Sequence, residues 1–404
     1  MMKGFWHGAA LLAGLLAAAP GYALPPLQMF VDVTPPGGVL RPPPGSYAGP
    51  VVIRRPLTLE GEGRITIDGG GRGTVLSVTA DHVTVRGLRL THSGESHDTV
   101  DAGILVAGND NLIEDNTIDD ALFGIHLRQA RRNTVRGNRI GSKPSEVNMR
   151  GDGLRLWYSS DNLIEGNTLH EVRDVLLINS PDNRVIGNDI RRSGVGMQLV
   201  YAPGNLLEDN TIDANTTGIV VVYSDDNTLR GNRMRHLRSA SGAGLAVKDS
   251  SGVVAEDNEI LHCAVGVQSN SPTHPENILE LKNNRLAYND VAMYFYGEKG
   301  GHIIHGNRFE HNLQDIAVSA PTSARANDWR GNSWDNYQGF DRDGDGVGDQ
   351  PHEIHLYADR IWMDRPMTRF FRGSPMLDLV DFIERLAPFS DPPLVLRDPA
   401  PRVR

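Results

Sequence analysis

The sequence is poor in cysteine, in aromatic residues and in positive charge. Its single cysteine, Cys263, excludes an intramolecular disulfide framework and any zinc or iron–sulfur cage built from several thiolates. The 50 acidic residues outnumber the 40 Lys and Arg, and this net charge of −10 excludes a nucleic-acid binder that works through a broad basic surface. Aromatic residues make up 6% of the chain, whereas glycine occurs 44 times. This composition is typical of many short elements joined by turns.

Long apolar runs are also missing, except at the N-terminus. The chain begins Met1-Met2-Lys3, continues with an apolar run from Ala9 to Ala19 and reaches the small-residue sequence Gly21-Tyr22-Ala23. This order is typical of a secretory signal peptide, and the run is shorter than the roughly 20 residues that cross a bilayer. We therefore predict a signal peptide over residues 1–23 and a soluble, exported protein. A retained membrane anchor is the alternative.

One short phrase recurs through the middle of the chain. It reads Asn-Leu-Ile-Glu-Asp-Asn-Thr-Ile over residues 111–118 and returns with small changes every 21 to 29 residues. An apolar residue lies three positions before the second asparagine of each phrase, and another lies two positions after it. The residue directly before that asparagine is Gly, Asp or Asn, and these types best tolerate a positive φ, so each repeat is expected to turn sharply there. The ten turn asparagines are Asn116, Asn138, Asn167, Asn188, Asn210, Asn232, Asn258, Asn284, Asn307 and Asn332.

A second short strand, led by glycine, accompanies most turn phrases, as in residues 124–127 and 153–156. Alternation with a period of two places Ile125 and Leu127 inward and His126 outward. No repeat contains a periodic segment long enough for a helix. We therefore predict an all-β fold, a right-handed parallel β-helix with one turn per repeat. Its coils would stack at ~4.8 Å, with the asparagine side chains in a hydrogen-bonded ladder.

The chain is expected to divide into three regions. Residues 1–23 form the signal peptide, and residues 24–339 form the β-helix with an N-terminal cap, for which the proline-rich stretch 35–44 is the candidate. Residues 340–404 form a C-terminal extension with an acidic loop, a short amphipathic helix and a Pro-rich tail. Both ends of a solenoid need covers, because their outermost coils lack a neighbour.

The turn phrases resemble the repeats shared by carbohydrate-binding proteins and sugar hydrolases of β-helical fold. The two ends narrow this resemblance. Val-Asp-Val-Thr-Pro-Pro-Gly-Gly over residues 31–38, Thr-Leu-Glu-Gly-Glu-Gly over 58–63 and Asp-Arg-Asp-Gly-Asp-Gly-Val-Gly-Asp over 341–349 are similar to the NosD family, the periplasmic maturation proteins of nitrous oxide reductase. The resemblance covers essentially the whole mature chain.

This resemblance implies a periplasmic accessory protein without catalytic residues. Such a protein would work with the membrane subunit of an ABC transporter and a copper chaperone to deliver transiently bound copper to nitrous oxide reductase. Whether copper or a sulfur species is the cargo stays open. The alternative is a protein that binds or degrades polysaccharides as a lyase, hydrolase or epimerase.

Paired carboxylates are what the enzyme alternative needs, since sugar-cleaving enzymes work with an acid and a base. The repeats contain two Asp pairs, Asp119-Asp120 and Asp225-Asp226, and they fall at different corners of the predicted coil. Aspartates that simply form turns explain both pairs equally well. We therefore assign no catalytic residue.

Histidines concentrate in one corner of the coil, after the turn phrase and before the Gly-led strand. The six are His92, His97, His170, His236, His262 and His311. Two long insertions, 91–102 and 141–152, fall in the same corner and would bring His92, His97 and Met149 within two coils, about 10 Å along the axis. Imidazole and thioether groups suit copper, so we predict a copper site from these three residues. Exposed loops that merely tolerate histidine are the alternative.

The C-terminal extension holds a second group of possible copper ligands. His352, His355, Met363 and Met367 lie within 16 residues of one another, with Met376 shortly after. Their spacing matches no fixed motif. Packing of a terminal cover is the alternative to a ligand role.

An acidic loop precedes these residues. Asp341, Asp343, Asp345 and Asp349 could converge on Ca²⁺ while Gly346 makes the tight turn. An EF-hand would need Glu at the twelfth position, where this chain has His352. A structural calcium site is predicted, with a solvated acidic turn as the alternative.

A short amphipathic helix is predicted over residues 376–387. Leu379, Val380, Ile383 and Leu386 recur at helical spacing, and Ser374-Pro375 is a typical helix start. The helix would either seal the last coil or, together with the Pro-rich tail, dock on the transporter. The tail itself is expected to be extended and unstructured alone.

Overall fold

The computed structural model is a parallel β-helix, which confirms the predicted fold class. It describes residues 24–239, 242–319, 324–355, 375–376, 379, 382–383 and 392–403, so the predicted signal peptide lies outside the described residues. An α-helix spans Gln28–Val33, and a 3₁₀-helix spans Val147–Met149. Within the described ranges, no helix combines the length and the apolar character that crossing a bilayer requires.

Two parallel sheets run along the molecule and enclose one hydrophobic interior. Each repeat contributes two strands, one on either side of the turn asparagine, to what we call the two-strand sheet, and one strand to the one-strand sheet. The strands of the two-strand sheet are Val39–Leu40, Gly45–Ala48, Thr58–Asp68, Thr84–Thr91, Leu112–Glu114, Thr117–Ala121, Thr134–Arg136, Arg139–Ser142, Leu163–Glu165, Thr168–His170, Arg184–Ile186, Asp189–Arg191, Leu206–Glu208, Thr211–Asp213, Thr228–Arg230, Arg233–Arg235, Val253–Glu256, Glu259–Leu261, Leu279–Lys282, Arg285–Ala287, Ile303–His305, Arg308–Glu310, Asp328–Arg330 and Ser333–Trp334. Those of the one-strand sheet are Val51–Ile53, Leu76–Val78, Ala102–Val106, Phe123–Arg128, Leu154–Trp157, Val175–Ile178, Val195–Val200, Thr217–Val222, Ala243–Lys248, Val265–Asn270, Val291–Tyr296 and Gln314–Val318.

The repeated phrase forms the turn inside the two-strand sheet. The residue before each turn asparagine has a positive φ, between 53° and 68°, as the Gly/Asp/Asn preference predicts. Both flanking apolar positions are buried in every repeat. Successive phrases pair in register, since Ile140 lies beside Leu169 and Leu169 beside Ile190. The repeat in the sequence is therefore the structural coil.

The turn asparagines form a continuous ladder through the interior. Asn188 shows the pattern: its backbone N–H and its Nδ2 both donate to Oδ1 of Asn210, at 2.9 and 3.0 Å, and Nδ2 also donates to the carbonyl of Ile164 at 3.0 Å. Asn167 in turn donates to Asn188 from the other side. A sharp turn leaves backbone groups that strand pairing cannot satisfy, and the buried amides supply their partners.

A single break in this ladder is expected to destabilise the protein. Asn188→Ala leaves the Asn167 N–H and the Ile164 carbonyl buried without their partner, so the free energy of unfolding should fall by about 3 kcal/mol. Denaturant unfolding followed by circular dichroism measures this. Asn148→Ala, at an exposed position, is the control and should change stability little. An equal effect of both variants would contradict the structural role of the ladder.

The N-terminal end is covered by the helix Gln28–Val33 rather than by the proline-rich stretch alone. Leu27 and Val31 are buried in the core. The side chain of Gln28 accepts from the Val52 N–H at 2.7 Å and donates to its carbonyl at 3.2 Å, which satisfies the edge of the first strand in the one-strand sheet. The proline-rich stretch instead surrounds Val39–Leu40, the first strand of the two-strand sheet.

In the full chain, the described part of the Pro-rich tail is extended and paired. Residues Leu394–Asp398 form a strand that pairs antiparallel with His352–His355. The fully buried Asp398 takes the next place in the asparagine ladder, because its Oδ2 accepts from the backbone N–H and the Nδ2 of Asn332, both at 3.2 Å. The tail is ordered because its own residues cover the last coil.

Candidate functional site

One corner of the coil carries a row of chemically varied side chains. It is the turn that follows the second strand of the two-strand sheet, and its residues have positive φ. Four of the predicted histidines occupy this position: His92, His236, His262 and His311, with φ from 53° to 57°. Other coils place Asp120, Glu171, Arg192, Ala214 or Tyr288 there. We call this row the histidine corner. His170 lies one residue earlier, at the end of its strand.

Towards the C-terminal end, the rings of the histidine corner stack on one another. His236 and His262 lie 5.4 Å apart between ring centroids, with planes 6° from parallel. Tyr288 continues the stack 5.1 Å from His262, and His311 lies 5.2 Å from Tyr288. The spacing follows the distance between coils, because each ring belongs to the next coil.

At the N-terminal end, His92 is held between two carboxylates. Its Nδ1 lies 3.0 Å from Asp68, on the preceding coil, and its Nε2 lies 3.2 Å from Asp120, on the following coil. Lys143 also contacts Asp120, at 3.2 Å. Both ring nitrogens of His92 therefore already have carboxylate partners.

The two long insertions meet, as the sequence predicts. His97, from the first insertion, has its Nε2 3.3 Å from the carbonyl oxygen of Met149, in the second. The ring of His97 also packs edge-on against Phe123 at 5.5 Å, and the side chain of Met149 is 63% exposed. The structure thus brings His97 and Met149 together and directs His92 to Asp68 and Asp120.

The sequence did not predict a group of buried polar side chains beside the insertions. His126, predicted to face outward, is only 4% exposed, and burial next to Arg155 lowers its pKa to about 3. Asp152 is fully buried and accepts from Arg155 at 2.9 Å and from Arg173. Burial, with the nearby charge of Asp152, raises the pKa of Asp174 to about 6. The one feature of the sequence that could have indicated this buried group is the position of Asp152 at the end of an insertion.

Cys263 lies next to His262 in sequence but points into the core. Its side chain is fully buried, and burial raises the pKa of the thiol to about 12. The thiol therefore stays protonated, and Cys263 does not provide a thiolate ligand beside the histidine corner.

The predicted C-terminal ligands lie in different surroundings. His352 is buried and stacks on Trp334 at 4.8 Å, with Tyr337 edge-on at 5.9 Å. His355 ends the same strand and is partly exposed. Met363 and Met367 lie outside the described residues. Among the four predicted ligands, His352 forms part of the cover of the last coil.

The acidic loop does gather three carboxylates. Ligand atoms of Asp341, Asp343 and Asp345 lie within 4.8 Å of one another, and among the described residues this is the one such group of three or more His, Cys, Asp or Glu. Both oxygens of Asp341 accept backbone hydrogen bonds, from Gly344 at 2.7 Å and Gly346 at 2.9 Å, which lowers the pKa of Asp341. Asp349 instead accepts from the Arg342 N–H. The calcium assignment stays a prediction.

The described part of the predicted amphipathic segment is helical and apolar on its exposed side. Met376, Leu379, Phe382 and Ile383 are 72%, 52%, 58% and 41% exposed. Met376, Leu379 and Ile383 fall on one helical face, since they are spaced by three, four and seven residues, and Phe382 lies three residues after Leu379. The described cover of the last coil is formed by the strand pair 352–355 and 394–398.

The fold and these features define a parallel β-helix protein, and comparison with solved structures agrees. The chain is similar to a mannuronic-acid-specific polysaccharide family 6 lyase from human gut microbiota, with a TM-score of 0.55 and 15% identity over 74% of this chain and 81% of the lyase. It is also similar to the catalytic domain of a GH87 α-1,3-glucanase, with a TM-score of 0.53 and 10% identity over 72% of this chain and 65% of that one. At these identities the likeness concerns the fold alone.

Sequence comparison finds similarity to one protein family. Residues 140–339 match the family described as "Periplasmic copper-binding protein (NosD)". Two curated proteins named "Probable ABC transporter binding protein NosD" are similar over nearly their whole length. The one from Pseudomonas aeruginosa is 29% identical over 89% of this chain and 87% of its own, and the one from Stutzerimonas stutzeri is 26% identical over 95% and 91%. These matches confirm the predicted resemblance to the NosD family.

The buried His352 predicts a loss of stability in mild acid. Burial lowers the pKa of His352 to about 4, below the ordinary value of 6.5, so the unfolded chain takes up the proton first. The contribution of the neutral His352 to the free energy of unfolding is complete above about pH 6.5 and is lost as the pH falls towards 4. Between pH 7.5 and 5 this amounts to about 2 kcal/mol.

His352→Phe keeps a ring on Trp334 and removes the titration, so its stability should depend less on pH by that amount. Denaturant unfolding at the two pH values measures the difference. His355→Phe, on the same strand, serves as the matched control. Identical pH profiles for the wild type and His352→Phe would show that this imidazole is not the acid-sensitive group.

Proposed function

We propose that this protein is a periplasmic accessory factor that hands copper to nitrous oxide reductase, in association with the membrane subunit of an ABC transporter and with a copper chaperone as donor. The family description names a periplasmic copper-binding protein, and the curated relatives are named for binding an ABC transporter. Similarity over almost the full length of both relatives supports carrying this role to the present chain. Transfer requires binding and release, and no bond-making step in the protein.

The observation that carries the copper role is the contact between the two insertions. It places the imidazole of His97 against the backbone carbonyl of Met149, whose exposed side chain ends in a thioether, and a thioether and an imidazole are ligands that suit Cu(I). His92 would join as the third ligand only if it left Asp68 or Asp120. An exposed, incomplete ligand set of this kind favours exchange over storage.

Replacing both close ligands tests this site. The double variant His97→Ala/Met149→Ala should bind Cu(I) at least tenfold more weakly, because both soft ligands are gone. Competition with a chromophoric Cu(I) chelator under anaerobic conditions gives the affinity. His274→Ala, exposed and outside the histidine corner, is the control. Unchanged affinity in the double variant would remove this site, and absence of Cu(I) binding by the wild type would overturn the copper function.

The C-terminal set, His352, His355, Met363 and Met367, is proposed as a secondary copper site. The buried ring of His352 would have to leave Trp334 to coordinate a metal, so this site would form only on rearrangement of the terminal cover. We also propose that Asp341, Asp343 and Asp345 hold Ca²⁺, with Asp349 positioning the loop. Calcium there would stiffen a loop that is already tied to the tail, since Val403 donates to Gly346 and Gly348 to Pro401.

The exposed apolar helix is proposed as the element that docks on the transporter. Its apolar side is supported by the exposure of Leu379 and Phe382, and chain segments on both sides of it are fixed to the last coil by the strand pair 352–355 and 394–398. Large exposed apolar side chains in a row are typical of interaction sites. The tail beyond residue 392 serves as an anchor in this proposal, because its own contacts cover the last coil.

Charge on the apolar side should abolish docking without unfolding the β-helix. Leu379→Glu/Phe382→Glu is expected to reduce co-purification with the detergent-solubilised membrane subunit by at least tenfold, because a buried carboxylate would face an apolar partner. Leu313→Glu, at a leucine of the solenoid that is 69% exposed, is the control. Equal recovery of all three proteins would exclude this helix as the docking element.

In the two Asp pairs considered for the polysaccharide alternative, three of the four carboxylates already have partners. Asp119 receives hydrogen bonds from Arg89, Asp120 contacts His92 and Lys143, and Asp225 accepts from the backbone of Ser251. These contacts support the interpretation that the aspartates form turns and ion pairs. Activity on uronate polymers is the assay that would restore the alternative.

A further inference from the structure

We propose that the outer side of the one-strand sheet is the surface on which the copper chaperone docks. The proposal rests on the proposed copper function and adds the part of this chain that meets the donor. We call this surface the apolar face. Its central row follows the strand register through Arg128, Trp157, Ile178, Val200, Val222 and Lys248.

Strand alternation directs the apolar side chains of this row away from the interior. Leu199 is fully buried in the core, whereas Val200, the next residue, is partly exposed. The same alternation places Leu176, Gln198 and Val220 outward, in the row beside the central one. Across these three strands the outward positions carry no charged residue.

The two-strand sheet of the same coils has an outer side of the opposite character. Its outward positions hold ion pairs between neighbouring coils, since Arg230 contacts Glu208 at 3.4 Å and Glu256 at 2.6 Å. Both sheets belong to the same coils, so the missing charge is a property of the apolar face and not of the fold. A parallel sheet with an uncharged outer side is normally covered by another element, and an exposed apolar patch marks an interaction site.

The apolar face is small. Five coil steps separate Arg128 from Lys248, or about 24 Å at ~4.8 Å per coil, and the outward rows together are about 10 Å wide. Tyr158 and Tyr201, 53% and 54% exposed, extend the face at the adjoining corner. A few hundred Å² is well below the ~800 Å² that each partner buries in a stable complex. The face therefore suits a partner that binds briefly and leaves, as copper transfer requires.

The charges at the two ends exclude a second copy of this chain as the occupant. Arg128 ends the central row on one side and Lys248 on the other, and both are exposed. Two copies packed face to face would bring cations against cations, whether their axes ran parallel or antiparallel. The complementary partner has an apolar centre with an acidic residue at each end, about 24 Å apart.

The position of the apolar face favours the copper donor as that partner. The guanidinium of Arg155, beside Leu176 in the register, lies 6.0 Å from the centre of the Phe123 ring, and His97 packs on the same ring at 5.5 Å. The second insertion borders the face as well, because a Cβ at residue 194 would lie 3.2 Å from Cγ1 of Val147. A protein seated on the apolar face is therefore next to the proposed copper ligands.

Charge in the centre of the face should prevent docking. Val200→Glu/Val222→Glu is expected to weaken binding of the copper-free chaperone to the full chain at least tenfold, because two carboxylates would face an apolar surface. Biolayer interferometry gives the Kd, and circular dichroism checks the fold. Ile186→Glu, at a partly exposed position on the two-strand sheet, is the matched control and should bind normally. The affinity of the double variant for Cu(I) alone should stay unchanged.

Charge reversal at the two ends provides a second test that keeps the apolar centre. Arg128→Glu/Lys248→Glu should weaken chaperone binding several-fold, and added salt should then strengthen it, whereas salt should weaken binding of the wild type. Normal chaperone binding by both double variants overturns the proposal and leaves the copper function intact. So does loss of binding to nitrous oxide reductase, or of self-association, with chaperone binding kept. A wild-type chain that binds neither Cu(I) nor the chaperone overturns both proposals.

Discussion

Hydrogen bonding between neighbouring coils is the constraint on which the rest of this molecule depends. A coil cannot satisfy its own backbone groups, so every strand needs the strand of the next coil. Inside the sharp turn, where strand pairing fails, the turn asparagines carry the same bonding from Leu88, whose N–H donates to Asn116, to Asp398 at the other end. Since each amide serves two neighbours, the interior has little freedom to vary.

Side chains are freer to vary at the corners of the coil and at the two ends of the solenoid. In the histidine corner the backbone conformation is kept, but the side chain points away from the core, and residues as different as Ala214, Glu171 and His236 share the position. The coil spacing then sets how far apart these groups lie. A solenoid therefore presents its corner side chains as a row at fixed intervals. Insertions such as those carrying His97 and Met149 add contacts outside this row.

The repeating part of the structure was predictable because local and long-range requirements coincide there. A Gly, Asp or Asn before each turn asparagine and an apolar residue on either side are enough to define a coil, and Ile140, Leu169 and Ile190 pair as their phrases predict. The same reasoning failed at two buried polar positions. His126 lies on an outward position of its strand and is nevertheless buried, and Asp398 joins a ladder from the far end of the chain.

The sequence by itself determined the fold, the shared corner of the histidines and the resemblance to the NosD family, because each depends on a pattern that recurs or on a motif that can be read in order. The tertiary structure alone decided which of those histidines are available. His92 is occupied by two aspartates, His97 meets Met149, and His236 lies flat against His262. These outcomes depend on what the adjacent coil presents at one position, and that neighbour is more than twenty residues away along the chain.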